Sequence, residues 1–274
     1  MKREIILMNA FMTIHDKNFV DGQYLYHYSS FEKAVKIITS DRLRFGNPYG
    51  ANDTTEYKPK VVCPDEEIYN YLIEMNKRIK MCCFSQDNLG IRKLSKKNND
   101  YYVDHIGRGF ALPRMWAQYG DNNTGVCFIF NKHKMLEHIA KSNVLVAAEP
   151  ISYEERYQCV RLKKEDVTEL RRQSKEFFRN GNTDMCDFLN GHLEYVRKNY
   201  FTKLKDWKNE NEYRIILFSA NGDPIFVPDL HIYLEGIVLG ENAEEINKSV
   251  LLKLLDKKVP IKRVIFQCTS IILK

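Results

Sequence analysis

The sequence predicts an α+β fold. Short apolar or aromatic runs bounded by turn residues gather toward both ends of the chain, and helical periodicities occupy its middle. The chain has 274 residues, 44% of them hydrophobic and 28% charged, enough for one large core or two modest ones. No repeat, low-complexity tract or Pro/Gly/Ser linker divides it, so residues 1–274 read as a single domain with inserted helices, the main helical insertion spanning about 160–200.

Each element has a local reason. Tyr24 to Tyr28 is short and aromatic, as a strand would be. Ser29 with Glu32 forms a capping box ahead of Phe31, Ala34, Val35 and Ile38, which recur at helical spacing. Asp41 to Pro48 ends that helix and carries a short strand at Leu43 to Phe45. Asp65 caps a second helix with Ile68, Leu72, Met75 and Ile79 on one face. MCCFS (81–85) and GVCFIF (125–130) read as buried strands, the latter followed by a helix near 133–141. Between them, residues 86–112 are polar and basic, an excursion whose length suggests a lid or binding loop. Val144 to Ile151 is expected to be extended, and 161–200 helical with a break near Asn180-Gly181-Asn182. YRIILFS (213–219), PIFV (224–227), GIVLG (236–240) and VIFQC (264–268) complete the strands, with a helix at roughly 243–256.

Composition narrows the class. No apolar run is long enough to cross a bilayer, and Ile5-Ile6-Leu7-Met8 is too short for a signal-peptide core, so a cytoplasmic protein with no membrane partner is expected. The seven cysteines include no C-x-x-C, and Cys63, Cys83 and Cys127 sit in apolar stretches as reduced thiols would. The seven histidines are scattered, and His133 with His138 lacks the spacing that sets two ligands on one helix face, so no metal site is read. A net charge of +6 is compatible with phosphate-bearing partners without defining a nucleic-acid-binding protein.

Candidate chemistry lies in three places. In NENEYRI (209–215), strand alternation would put Glu210, Glu212 and Arg214 on one face. Two carboxylates that close repel, raising the proton affinity of one, and such a pair suits stabilising a positive charge while moving a proton. The alternative is an exposed strand edge with a surface ion pair. In YHYSS, His27 between tyrosines could orient a sugar hydroxyl, with Tyr28 beside it; the capping box already accounts for Ser29. In MWAQYGDNNTG, Trp116 and Tyr119 lie one helical turn apart, although core is the default for a tryptophan. NPYGANDTTE (47–56), including Asn52, has polar groups for a ribose or for an ordinary turn.

YHYSSFEKAVKIITSDRLRFGNPYGANDTTE, CCFS, MWAQYGDNNTGVCFIF and K-x-x-x-W-x-x-E-x-E-Y-R (Lys203, Trp207, Glu210, Glu212, Tyr213, Arg214) together resemble an uncharacterised bacterial domain-of-unknown-function family often found near phage-defence genes. The resemblance runs from about residue 24 to 268. That family in turn looks like a distant branch of the ADP-ribosyltransferase superfamily, whose pattern is His or Arg on the first strand, an aromatic or Ser on a middle strand, and Gln/Glu-x-Glu on a late one. The resemblance implies a split β-sheet core with inserted helices, NAD as substrate and no metal. It places His27 first, Glu212 last as the residue stabilising the oxocarbenium ion, and Glu210 as its acceptor-side partner, with Ser85 or Tyr119 in the middle position. Tyr28, Ser29, Ser85, Trp116, Tyr119 and Asn52 would contact the dinucleotide. The acceptor would be a protein, a nucleic acid or water, and an antitoxin or defence-system partner would fit a toxin or antiviral effector. Two other readings stay open: a non-catalytic nucleotide or nucleic-acid sensor, and a metal-independent nuclease.

Overall fold

The computed structural model describes residues 22–50, 55, 58–62, 65–92, 105–142, 145–180, 193–255, 259–267 and 270–274. The chain begins with β1 (Tyr24–Ser29), α1 (Phe31–Ser40) and β2 (Arg42–Phe45), then β3 (Val61–Val62), α2 (Glu66–Arg78) and β4 (Ile79–Gln86). There follow α3 (Pro113–Gln118), β5 (Val126–Asn131), α4 (Lys132–Ala140), β6 (Leu145–Pro150), β7 (Ser152–Glu154) and β8 (Val160–Arg161). The middle helices are α5 (Lys164–Asn180) and α6 (Leu193–Tyr200), and β9 (Thr202–Leu204) leads through a 3₁₀ turn, Lys205–Glu210, into β10 (Glu212–Phe218). The chain ends with β11 (Ile225–Pro228), α7 (Leu230–Tyr233), β12 (Leu234–Leu239), α8 (Glu245–Leu254), β13 (Ile261–Phe266) and β14 (Ile271–Leu273).

The fold is α+β, as expected. Eight strands form one mixed sheet in the order β14-β13-β12-β5-β1-β4-β10-β6. Its pairs are antiparallel except for β12 with β13. Alternation along the strands sends Leu25, Phe84, Phe128 and Ile215 to one face, where α1, α4 and α8 cover them. On the other face, Ile216 and Met81 pack with α2, α5 and α6, and Tyr26, Tyr28 and Ile129 pack with Trp116 and Phe110.

Two local expectations shift. The cap of α1 is Ser30, whose side chain accepts from the Lys33 amide, and not Ser29. Ser29 is still paired with Val126 in the β1–β5 ladder, so its backbone cannot yet serve as a cap. The excursion at 86–112 is no open loop where it is described. Residues 105–112 are drawn into the core by Phe110, by Arg108 and by the buried carboxylate of Asp87. Asp87 Oδ1 accepts from the Tyr26 hydroxyl at 2.7 Å and the Gly109 amide at 3.1 Å, while Oδ2 accepts from Arg108 at 2.7 Å and the Gly22 amide at 3.2 Å. Gly109 is required there because a Cβ would stand 2.1 Å from the Tyr26 ring. Residues 93–104 lie outside the described residues.

The decisive departure from regularity is between β1 and β4. β1 pairs with β5 along its whole length, yet it pairs with β4 only at Leu25↔Gln86 and Tyr26↔Ser85. Beyond that point the two strands part, while β4 stays paired with β10 from Ser85 to Ile79. Backbone groups exposed along the parted edge still need partners. At Met81 the chain after β2 supplies them, through Gly46 in an isolated bridge. At Cys83 the carbonyl accepts instead from the ring of His27, 3.1 Å away.

Replacing Asp87 by Ala would take from the buried Arg108 guanidinium the carboxylate it is paired with at 2.7 Å. Urea unfolding is expected to show a loss of about 3–5 kcal/mol, with Asp87→Asn losing less because it keeps some of the hydrogen bonds.

Candidate functional site

The parted strands open a cavity of about 830 Å³. His27, Tyr28 and Ser29 of β1 line it, as do Ser85 of β4, Tyr119 after α3, and both Glu210 and Glu212. Residues from the beginning of the described chain and from its last third therefore meet around one hollow. They reach it from different sides. Glu212, Ser85 and Tyr26 are directly opposite one another in the ladder and share a face of the sheet, whereas His27 shares the other face with Phe84. The parting of β1 and β4 allows both sets to line the same space.

At the head of β10 the two glutamates are buried, not on an exposed edge, so the surface-ion-pair expectation fails. Glu210, Glu212, Lys203 and Arg214 are each at most 5% exposed. Nor does Glu210 lie in the strand. It ends the 3₁₀ turn, and Asn211, in the left-handed region at φ 45°, redirects the chain before β10 starts at Glu212. Lys203 Nζ stands 2.8 Å from Glu210 Oε2 and 2.9 Å from Glu212 Oε2. Arg214 donates through Nε to Glu212 Oε1 and through a terminal nitrogen to Oε2. The Glu212 amide donates to the Tyr153 hydroxyl at 2.8 Å. Glu210 Oε1 accepts from the Tyr119 hydroxyl at 2.8 Å. Trp207 of the turn lies against Lys203, whose Nζ is 4.9 Å from the ring centre.

The cationic neighbours set the protonation of Glu212. Burial raises its carboxyl, but Arg214 and Lys203 outweigh burial and hold it well below the usual carboxylate range. Glu212 is thus an anion at neutral pH, with part of its field cancelled by two cations.

His27 differs in character. Burial lowers its pKa, outweighing the Cys83 carbonyl contact that raises it, so the ring is neutral near pH 7. A carbonyl can only accept, so Nδ1 carries the ring proton and Nε2 is left as an acceptor. Ser85 adds a buried hydroxyl with no hydrogen-bond partner, an unmet donor and acceptor on the cavity wall. Ser29, freed from capping, also lines the wall. Tyr28 contributes to the wall while its hydroxyl is bound to the Gly109 carbonyl at 2.7 Å. Trp116 does not line the cavity. It is fully buried behind Tyr28, its ring edge-on to the tyrosine at 5.0 Å and its indole N–H on the Phe110 carbonyl. Asn52 lies outside the described residues.

Local sequence assigns no role to Lys203 and does not single out Tyr153. Lys203 is seven positions ahead of Glu210, and only the intervening turn brings its ammonium back between the carboxylates. Among the described residues, Asp41, Asp229 and His231 form the cluster with metal-ligand character, and none of them lines the cavity. No helix of the described residues is long and apolar enough to cross a membrane.

Residues 115–215 match the family model described as "Protein of unknown function (DUF2971)", a span that ends just past the charged cluster. No curated protein matches. Among solved structures, the chain is similar to Thermus sp. 2.9 DarT in complex with NAD+, at 9% identity and a TM-score of 0.36, over 88% of this chain and 95% of that one. It is also similar to the same protein in complex with ADP-ribosylated ssDNA, at 9% identity and a TM-score of 0.33, over 88% and 93%. Likeness this loose is one of general outline, and no property of the site rests on it.

Lys203→Met would remove the cation that Glu210 and Glu212 share and leave Arg214 beside Glu212. The folded pKa of Glu212 is depressed, so its stabilising contribution is complete above about pH 4.5 and is lost as pH falls through the folded value. The variant should therefore lose several kcal/mol at pH 7, and the gap to wild type should narrow below about pH 4.5, as followed by urea unfolding at both pH values.

Proposed function

We propose that this chain is an ADP-ribosyltransferase-type enzyme that breaks the nicotinamide–ribose bond of NAD in the cavity where β1 and β4 part. The observation that carries the reading is the meeting of a neutral histidine, an unpartnered serine hydroxyl and two ionisable carboxyl side chains around one hollow of about 830 Å³, a size suited to a cofactor. The sequence resemblance points the same way.

The roles follow from chemistry. When the glycosidic C–N bond breaks, its electron pair leaves with nicotinamide, which becomes neutral, and positive charge develops on the ribose. An ionised Glu212 close to a ribose hydroxyl stabilises that charge more in the transition state than in the ground state. The low pKa of Glu212 keeps it ionised at working pH. Nε2 of His27 accepts a hydrogen bond from a ribose hydroxyl and fixes the sugar, and Ser85 offers a further polar contact. Glu210, held by Tyr119 and Lys203, accepts the proton of the attacking nucleophile, a hydroxyl or amine of an acceptor or a water. Such an activity suits a toxin or antiviral effector.

A second reading has its own observation. Both oxygens of Glu212 are already engaged by cations, as a purely structural carboxylate would be. On that reading the cavity binds a nucleotide without cleaving it.

Nicotinamide release from NAD separates the two. Glu212→Gln would also disturb the buried charge balance, so Glu212→Asp is the sharper variant: it keeps the charge and withdraws the carboxylate by one methylene. Release, measured well below the variant's melting transition so that the protein is fully folded, is expected to fall about 100-fold. Wild-type protein that binds NAD in calorimetry yet releases no nicotinamide would establish the sensor instead. Glu210→Gln is expected to change the ratio of transfer to hydrolysis more than total turnover, and His27→Ala to weaken NAD binding. Unchanged affinity in the latter would return His27 to a purely structural role.

A further inference from the structure

The exposed part of the same cavity has a chemistry that the NAD reaction does not explain. β2 and β11 form a separate two-stranded ribbon in which Arg44 is paired with Phe226 and Arg42 with Pro228. Leu43, Phe45 and Val227 turn inward to the core, so Arg42, Arg44 and Phe226 share the outward face. Phe226 is 52% exposed, an uncovered aromatic ring directly across from a guanidinium. All three line the cavity, together with Lys33 and Lys36 of α1. Lys36 is paired with the exposed Glu32, and the exposed Asp121 also lines the cavity. The rim is therefore cationic and aromatic, in contrast to the buried glutamates.

We propose that this ribbon face binds single-stranded nucleic acid and leads it to the cavity. Arginines two residues apart in a strand stand about 6.6 Å from each other, a spacing suited to successive phosphates of an extended strand. Across from Arg44, Phe226 offers a flat apolar surface on which a base can stack, a contact that tolerates any sequence. A duplex hides its base faces and would leave the ring unused. An acidic protein segment would meet the cations but not the ring. As the identity of the acceptor, the inference rests on the NAD-cleaving reading; as binding, it stands without it.

Fluorescence anisotropy of short labelled DNA and RNA in the absence of NAD tests it. Single strands are expected to bind more tightly than duplexes of the same sequence. Phe226→Ala should weaken single-strand binding about tenfold, and its exposed position means that the fold should survive. Arg42→Glu with Arg44→Glu should weaken it further and make the log–log salt dependence shallower by roughly 1.4. The melting temperature of Phe226→Ala should match that of wild type. Equal binding by wild type and variants, preference for duplex, or displacement of the oligonucleotide by polyglutamate as readily as by unlabelled strand would overturn the proposal. Nicotinamide release without oligonucleotide binding defeats this inference alone, and the converse defeats only the NAD reaction.

Discussion

The buried ammonium of Lys203 between two carboxylates is the constraint on which the site depends. Taking four ionisable side chains out of water is costly, and the arrangement holds because each has a partner of the opposite kind within hydrogen-bonding reach. Lys203 prevents Glu210 and Glu212 from repelling one another, and Arg214 anchors Glu212 from the next residue on the same strand face. The 3₁₀ turn between β9 and β10 exists to make this possible. It folds Lys203 back over the head of β10 and lays Trp207 along it. The left-handed Asn211 then turns the chain so that the second glutamate, not the first, begins the strand.

A second constraint is backbone satisfaction along the parted edge of β4. A sheet that opens between two central strands leaves unpaired carbonyls and amides on both sides, and these must find partners. Here a histidine side chain replaces a ladder bond at Cys83, and Gly46 replaces another at Met81. The device has a chemical by-product. By donating from Nδ1 to a carbonyl, His27 is locked with Nε2 as its acceptor nitrogen, so a requirement of the fold sets the tautomer that a sugar hydroxyl would meet. The unpartnered Ser85 hydroxyl lies at the last paired position before the strands diverge, where it borders the cavity.

Much of the architecture could be read from local pattern. The aromatic strand at Tyr24, the amphipathic helices after Ser30 and Asp65, and the apolar runs at 81–85, 125–130 and 213–219 appear within a residue or two of their expected bounds or extend them slightly. His27, Glu210 and Glu212, singled out by residue type and spacing, line the cavity. Local pattern misleads where distant neighbours decide the outcome. Ser29 resembles a cap by spacing, but strand pairing claims its backbone. Trp116 lies one helical turn from Tyr119, yet it takes the default place of a tryptophan, in the core with its indole N–H on the Phe110 carbonyl. The short strands β3, β7, β8 and β9 have no periodicity long enough to register in sequence.

The sequence by itself determined the α+β class, the main helices and strands, and the residue types available for chemistry, because these depend on propensities and spacings within a few positions. The tertiary structure alone decided which charges are buried together, that Glu212 stays ionised, that Asp87 pins 105–112 to the core, and that Phe226 and the ribbon arginines rim the cavity. Those outcomes depend on groups far apart in the chain and on how much water is excluded between them, quantities that no local window of sequence contains.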